Sequence, residues 1–344
     1  MNQIAKAKLS DHAATRWLAL IIVSATMMFA YFFTDVMSPL EAMLSESLGW
    51  NGNEYGFFSG AYGLINVFLL MLFFGGIILD RMGIRFTGML SCILMLIGAV
   101  IKWYAVTCVD PTSVVEGFHL DLLIVQIDTP HTSNLLAALG FSIFGVGAET
   151  AGITVSKVIT KWFTGHELAL AMGLQLAIAR LGTALALILS PILVSAKPAG
   201  SFYTLQETAR PAFAALVLLL AGTILWAVFV AMDARFDSKS GTTDKKETSE
   251  EDKFKFSDIF KVLGNKYFIM SALLCVFFYC SIISFKKFAT SILIPRFDLP
   301  MENASVMVSL IPFFTVIFAP LFGSLVDKVG KGTRWMITGS ILVL

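Results

Sequence analysis

Two ionisable side chains of opposite sign, Glu149 and Arg180, lie in the middle of long apolar runs of the sequence. An ionisable group at membrane depth is energetically costly and is by default a sign of function. At 1.5 Å per helical residue, Glu149 lies about 22 Å along its run and Arg180 about 20 Å along the next. Both therefore fall near the middle of a bilayer, where they can face each other. Such groups can hold the opposite charges of a small solute, or can merely form an ion pair that fixes helix packing.

A polar stripe follows the second apolar run. Its members are three or four residues apart, which places them on one helical face: Tyr55, Ser59, Tyr62 and Asn66. Polar groups directed at lipid would be unsatisfied, so we expect this face to line a polar cavity. The alternative is hydrogen bonding between helices, which is common in membrane bundles. Tyr31 in the first run and Tyr279 in the seventh complete the predicted lining.

Charged residues also occur toward the outer ends of the first and seventh runs. Asp35 lies on the same helical face as Tyr31, and Lys286 and Lys287 lie at a similar depth. Opposite charges at one level predict an ion pair that gates the outer side. The alternative is that the lysines extend to the interface while Asp35 contacts water.

The composition shows why these positions are unusual. The chain has 344 residues, of which 57% are hydrophobic and 14% charged, and its mean hydropathy is +0.79. Soluble domains are about a quarter charged. The apolar runs reach the roughly 20 residues that cross a bilayer, and a chain inside a bilayer must be helical. The predicted spans are 16–37, 54–79, 86–107, 134–161, 167–195, 210–234, 265–293 and 303–325, with a ninth that begins near residue 333.

Lysine and arginine are distributed unevenly between the two sets of loops. The loops 38–54 and 106–133 contain neither, whereas the other set is basic. Because basic loops remain in the cytosol, we expect a cytosolic N-terminus and a multi-pass protein of a bacterial inner (plasma) membrane. Residues 119–129 of the second outer loop alternate weakly in polarity, which predicts a small external hairpin.

The long charged stretch 237–255 suggests how the chain is divided. It is too polar to fold alone and is typical of a flexible linker. We therefore expect a cytosolic tail over residues 1–15, a six-helix bundle over 16–235, a cytosolic linker over 236–264, and part of a second bundle over 265–344.

Several protein classes find no support in the sequence. A net charge of +1 gives no field for nucleic acid. There is no H-E-x-x-H, G-x-S-x-G or P-loop motif, and no cysteine pair has metal-ligand spacing. We predict no enzyme activity, no cofactor and no metal. The expected partners are the lipid bilayer and a small-molecule solute; the sequence leaves open whether protons are coupled and what the oligomeric state is.

Two turns on the basic side repeat the pattern G-x-x-x-D-[RK]-x-G six spans apart, which indicates two related bundles. We expect the glycines to permit close helix approach and a tight turn. The aspartates would accept hydrogen bonds from a helix N-terminus of the opposite bundle, which for Asp327 is the start of the fifth span at 166–169. The basic residues would contact the inner leaflet. The residues of this predicted conformational latch are Gly76, Asp80, Arg81, Gly83, Arg85, Gly323, Asp327, Lys328 and Gly330.

The repeated turn resembles the signature loop of the major facilitator superfamily. The resemblance implies an all-α membrane fold of two pseudo-symmetric six-helix bundles that work by alternating access. That fold has twelve spans, so we expect this chain to be truncated within helix 9. It would be either a fragment or a damaged member, and the stop in mid-helix at 337–344 favours a fragment.

A closer resemblance rests on the stretches FGVGAET at 144–150, KWFTGHEL at 161–168 and GLQL at 173–176, and on Arg180. These are similar to the branch that includes the lysosomal dipeptide uniporter of animals and its bacterial relatives. The resemblance implies that Glu149 binds the amino group and Arg180 the carboxylate of a short zwitterion. Three hypotheses remain open: a transporter of dipeptides or similar zwitterions, a carrier of small organic anions in which Glu149 couples a proton, and a membrane sensor or assembly subunit that transports nothing.

Overall fold

The computed structural model describes residues 13–122, 125–164, 167–195, 203–240, 263–329 and 332–343. Within these ranges, seven helical segments are long and apolar enough to cross a membrane. Apart from a hairpin and a short 3-10 turn, the described elements are ten helices: α1 (Ala13–Asp35), α2 (Glu41–Leu48), α3 (Gly52–Phe68), α4 (Met71–Thr107), α5 (Thr132–Phe163), α6 (Leu168–Leu193), α7 (Leu205–Ser240), α8 (Lys266–Phe297), α9 (Met301–Val329) and α10 (Gly332–Val343).

The second and third predicted spans differ from the prediction of two continuous helices. Helix α3 ends at Phe68, and Leu70 adopts a left-handed backbone conformation before α4 begins. Helix α4 then contains the inner part of the second span and the whole third span, joined at Gly83, whose φ of 78° and ψ of 173° are non-helical. A glycine adopts this conformation without a Cβ clash, so the predicted tight turn is present at Gly83. The break at Leu70 has no sequence signal because its neighbours are also apolar.

We define the outer end as the end that carries residues 36–53, 108–122 and 125–131, and the inner end as the one that carries Gly83. At the outer end, β1 (His119–Leu122) pairs antiparallel with β2 (Val125–Asp128), as predicted for this loop. The Asn53 side-chain amide donates a hydrogen bond to the Gln126 carbonyl at 3.1 Å. The hairpin is thereby joined to the start of α3.

The first bundle packs through small residues and phenyl rings. A Cβ built at Gly98 of α4 would lie 2.4 Å from the Gly140 carbonyl oxygen of α5, so the two backbones touch there. Next to this crossing, Phe141 stacks on Phe58 at 5.3 Å and on Phe144 at 6.0 Å between ring centroids. These contacts fix the faces of α3, α4 and α5 relative to one another.

Helices α8 and α9 contact the first bundle near the outer end. Leu187 of α6, Ala289 of α8 and Val308 of α9 form a small buried cluster, and the Ser305 hydroxyl donates to the Leu187 carbonyl. From residue 266 to 285, by contrast, α8 has exposed or half-exposed side chains. Helix α7 extends to Ser240, five residues into the predicted linker; the rest of that linker up to residue 262, and residues 1–12 of the tail, lie outside the described residues.

Candidate functional site

Glu149 is half-buried on α5 and is oriented by α3. The Tyr62 hydroxyl donates a hydrogen bond to Glu149 Oε1 at 2.7 Å. One turn earlier on α5, a Cβ at Gly145 would lie 2.1 Å from the Tyr62 carbonyl oxygen, so α3 and α5 are in backbone contact at this level. Among the described residues, Glu149 Oε2 has no hydrogen-bond partner. One carboxylate oxygen is thus fixed and the other is available to a ligand.

Arg180 is half-buried on α6 and is oriented by α1. Its guanidinium carbon lies 5.4 Å from the centroid of the Tyr31 ring. Two residues further on, a Cβ at Gly182 would lie 2.1 Å from the Met28 carbonyl oxygen, so α1 and α6 also touch. No carboxylate of the described chain lies within 4 Å of Arg180. A stacked guanidinium with unused donors suits bidentate binding of a carboxylate.

Tyr31 connects these two charged groups. It lies within electrostatic range of Arg180, Glu149 and the half-exposed Tyr279 of α8. The structure therefore brings residues of α1, α3, α5, α6 and α8 into one region, and their role in substrate binding stays a prediction. In the described ranges Glu149 and Arg180 form no direct ion pair. The alternative in which these two residues pair to fix helix packing therefore has no contact to support it.

Two other residues of the predicted cavity lining have different surroundings. Tyr55 is buried, and its hydroxyl contacts the carbonyl oxygens of Ser38 at 3.1 Å and Lys287 at 3.4 Å. It therefore belongs to the closed outer end rather than to a cavity wall, because α8 covers this end of α3. Asn66 lies at the contact with α5, where its amide donates to the Tyr62 carbonyl at 3.4 Å. The polar stripe of α3 thus also makes hydrogen bonds between and within helices.

The predicted outer gate residues are in direct contact. Asp35 is 1% exposed, with Oδ2 2.8 Å from Lys286 Nζ and Oδ1 3.0 Å from Lys287 Nζ. Lys287 Nζ also donates to the Thr34 carbonyl and the Ser38 hydroxyl, each at 2.9 Å. Both lysine side chains are only 12% exposed, so their ammonium groups do not extend into water at the interface. Helix α1 is thereby joined to α8 by buried charges.

The first predicted latch turn has a partner inside its own bundle. Asp80 Oδ1 accepts a hydrogen bond from Lys157 Nζ of α5 at 2.6 Å, and Arg81 is exposed. A Cβ at Gly76 would contact nothing within 4 Å, whereas one at Gly75 would lie 2.9 Å from Thr150 Oγ1. The close helix approach expected at Gly76 therefore occurs one residue earlier, on the face directed at α5.

Arg85 corrects a second expectation about this turn. It was expected to contact the inner leaflet, but its Nε lies 2.7 Å from Asp233 Oδ2 of α7 and its side chain also donates to the Asp233 carbonyl. A fully buried carboxylate requires donors, and Arg85 satisfies this one. The predictions for the second latch turn lie outside what the structure describes. This applies to Gly330, to the side chains of Asp327 and Lys328, and to the close helix approach expected at Gly323. Residue 166, in the predicted partner segment of Asp327, is also outside the described residues.

Sequence reasoning assigned no role to Asp233 and Lys102, two charged residues that are fully buried. Asp233 accepts hydrogen bonds from Arg85, from Lys161 Nζ at 3.1 Å and from Trp162 Nε1 at 3.0 Å. Lys102 of α4 is 0% exposed, lies among three phenyl rings, and its Nζ has no hydrogen-bond partner in the described part of the chain. The signal for Lys102 was present, since it is a charge inside the third predicted span, the same criterion that identified Glu149.

The described helices thus form an integral, multi-pass membrane protein with charged groups between two sets of helices. The chain matches the family model of the Major Facilitator Superfamily over residues 20–344. The chain belongs to this superfamily, and both the predicted family and the predicted fold class are confirmed.

Its relatives include the lysosomal dipeptide transporter MFSD1 of several vertebrates. The chain is 24% identical to the Bos taurus protein, over 97% of this chain and 65% of that protein, and 25% identical to the Homo sapiens protein, over 94% and 64%. This chain thus spans just under two thirds of the length of these relatives. The predicted resemblance to the dipeptide uniporter branch is borne out as a similarity.

Solved structures support the same fold. A D-xylose–proton symporter superposes with a TM-score of 0.57 at 13% identity, covering 91% of this chain and 69% of that one. A bacterial homolog of the human lysosomal transporter Spinster, in an inward-facing and unoccupied conformation, gives 0.58 at 12% identity, covering 92% and 64%. At these identities the likeness concerns the fold alone.

Proposed function

We propose that this protein moves small zwitterions, with dipeptides as the first candidates, across a membrane by alternating access. The observation that carries the proposal is that Glu149 and Arg180 are half-buried in one region, near Tyr31, without pairing with each other. The ammonium group of a zwitterion would bind the available Glu149 oxygen, and its carboxylate would bind Arg180 through charge-assisted hydrogen bonds. The similarity to proteins named dipeptide transporters supports the same substrate class.

The charge balance favours a zwitterion over a simple organic anion. Glu149 makes its described hydrogen bond with the neutral Tyr62, and no lysine or arginine of the described residues lies within 4 Å of it. A bound anion would satisfy Arg180 but would leave Glu149 uncompensated and repelled. A zwitterion compensates the charges of Glu149 and Arg180 at once. With a simple anion, a proton would have to neutralise Glu149.

Alternating access assigns roles to the contacts at the two ends. The ion pairs of Asp35 with Lys286 and Lys287 act as the outer gate, because they must break if α1 and α8 separate. The turns around Asp80 and Asp327 act as the latch at the inner end. We place the N-terminus in the cytosol, since basic residues concentrate at the inner end. We also propose that the membrane is a bacterial plasma membrane. We assign it no catalytic role.

A ligand-dependent thermal-shift experiment on the full-length protein tests this function. Dipeptides are expected to raise the melting temperature of the wild type, and monocarboxylates are not. Glu149→Gln and Arg180→Ala each remove a charge-assisted bond of about 1.5–3 kcal/mol, so both should weaken the dipeptide response by about tenfold or more. Glu46→Gln and Arg296→Ala, at exposed positions of α2 and α8, are matched controls and should respond as the wild type does.

The alternatives have distinct outcomes in the same system. If both Glu149→Gln and Arg180→Ala retained the wild-type dipeptide response, the site assignment would be wrong. If monocarboxylates stabilised the protein and dipeptides did not, the organic-anion hypothesis would replace this one. Intact dipeptide binding combined with vesicle uptake no greater than that of empty controls would identify a sensor or assembly subunit.

A further inference from the structure

The proposed cycle gives no role to Lys102, although its surroundings are specific. Its Nζ lies 4.3 Å from the ring centroid of Phe33, 4.4 Å from that of Phe141 and 5.1 Å from that of Phe58. Phenyl faces attract an ammonium group, particularly where water is excluded. They do not replace the hydrogen bonds that it would make in water, and no described acceptor supplies them. A fully buried and unpaired ammonium is too costly to be retained without a reason.

Lys102 lies next to the outer gate. The Phe141 ring that contacts Lys102 also lies 5.8 Å from Lys287 Nζ, so one ring is shared by two ammonium groups. Lys102 is within electrostatic range of both Lys287 and Asp35. When the outer end is closed, Lys286 and Lys287 contact the Asp35 carboxylate, and Lys102 lies on the shared Phe141 ring next to them.

The members of this charge cluster (Asp35, Lys102, Lys286 and Lys287) belong to different moving parts. Asp35 on α1 and Lys102 on α4 are in the first bundle, whereas Lys286 and Lys287 are on α8. When the outer end opens, α8 must withdraw its two lysines, while Asp35 and Lys102 stay together. Asp35 would then have lost both of its cross-bundle partners.

We propose that Lys102 is the standing counter-charge of Asp35, which neutralises this carboxylate in the state in which the outer gate is open. The inference rests on the proposed alternating access but not on the identity of the solute. Its physical basis is an asymmetry between the two states. With the gate closed, Lys102 is repelled by Lys287 and has no hydrogen bond; with the gate open, that repulsion is absent and Asp35 has no competing partner.

The asymmetry predicts the direction of a conformational shift. The charge of Lys102 favours the outward-open state, so its removal should favour the outward-closed state. Lys102→Met removes the charge while keeping an unbranched side chain that packs well against aromatic rings. Lys102→Arg retains the charge and is the matched control.

Electron–electron resonance distances test this shift on the full-length protein in lipid nanodiscs without solute. Spin labels at Glu46→Cys on α2 and Phe297→Cys at the end of α8, both exposed positions, report the width of the outer end. The background carries Lys286→Met, which weakens the gate so that both states are populated, and has its native cysteines replaced. Adding Lys102→Met should raise the closed-to-open ratio about fivefold or more, the usual lower range of conformational coupling. Adding Lys102→Arg should leave the ratio unchanged.

The inference is overturned if Lys102→Met leaves this ratio unchanged or lowers it, or if Lys102→Arg acts as Lys102→Met does. If Lys102→Met protein cannot be recovered, the Lys286→Met/Lys287→Met variant provides the test. With Lys102 as the sole remaining counter-charge, that variant should be recovered and mainly open at the outer end; an unrecoverable or closed protein contradicts the inference. A single distance in every variant would overturn alternating access as well, whereas failed dipeptide binding would leave this inference untouched.

Discussion

The outer and inner ends of the molecule use buried charges in different ways. At the outer end, Asp35 joins α1 of the first bundle to Lys286 and Lys287 of α8. At the inner end, within the described side chains, Asp80 and Asp233 bind partners that belong to the first bundle itself. The contacts of Asp35 therefore depend on how the two bundles are placed. Those of Asp80 and Asp233, like the contact of buried Glu54 with His131 at the outer end, hold the first bundle together in any placement.

Burial also separates the charged contacts. Asp35 is almost completely buried, while the side chains of Asp80 and Lys157 are 70% and 45% exposed. Breaking a buried ion pair leaves a charge without compensation, whereas an exposed pair is screened by water and salt. Asp233 is a third case, since it is fully buried but receives donors from two other helices. The comparison thus predicts how much stability the protein loses when each charge is removed, and whether its conformation also changes.

Removal of the Asp35 charge should have the largest effect. Asp35→Asn leaves Lys286, Lys287 and Lys102 close together with no carboxylate between them. We expect a loss of about 3–5 kcal/mol of folding free energy, as for other buried pairs that lose one partner. Thermal unfolding of the purified full-length protein measures it, with Glu46→Gln as the exposed control. A melting temperature equal to that of the wild type would contradict the assignment of this cluster as a buried gate.

Asp233→Asn should destabilise the protein without changing its conformation. The variant still accepts hydrogen bonds but loses the charge that Arg85 and Lys161 share, so we expect a loss of about 1–3 kcal/mol. Because all of these groups lie in the first bundle, the distance between labels on α2 and α8 should stay as in the wild type. If that distance changed as the melting temperature fell, Asp233 would also affect how the two bundles are placed, and the proposed difference between the two ends would be wrong.

Much of this arrangement could be predicted from the sequence because membranes impose strict rules on chain composition. Hydropathy located most of the spans to within a few residues, since each helix must satisfy its own backbone polar groups. It did not locate the break at Leu70, which divides the second predicted span. Helical periodicity and depth predicted that Asp35 lies at the level of Lys286, and Glu149 at the level of Arg180. The family, which the repeated turn predicted, is confirmed by the family match. The functional roles of these residues stay predictions.

Other features depend on helix packing that sequence spacing does not encode. Arg85 and Asp233 are 148 residues apart, and only the contact between α4 and α7 brings them together. Tyr55 and Tyr62 lie on one face of α3, yet α8 covers the first and α5 orients the second. Lys102 could have been noticed as a charge in a span, but its phenyl cage is assembled from three other helices.

Tyr62→Phe should have a moderate effect that is confined to the ligand site. It removes the hydrogen bond to Glu149, worth about 0.5–1.5 kcal/mol, so the dissociation constant for a dipeptide should rise by about two- to tenfold. Tyr55→Phe, on the same helix face but at the closed outer end, should leave dipeptide affinity unchanged. Titrations of melting temperature with dipeptide compare the two variants, and equal losses in both would show that Tyr62 has no special role in orienting Glu149.

Lys157→Met should have the smallest effect on stability, although the Asp80–Lys157 contact, at 2.6 Å, is shorter than either ion pair of Asp35. Its exposure limits the contribution to below about 1 kcal/mol, and added salt should reduce it further. The melting temperature of the variant is expected to lie within a few degrees of the wild type at low salt and to coincide with it at high salt. A large, salt-independent loss would mean that Asp80 is held by Lys157 as firmly as Asp35 is held by its lysines, and the inner turn would then be a fixed part of the first bundle rather than a latch that exchanges partners.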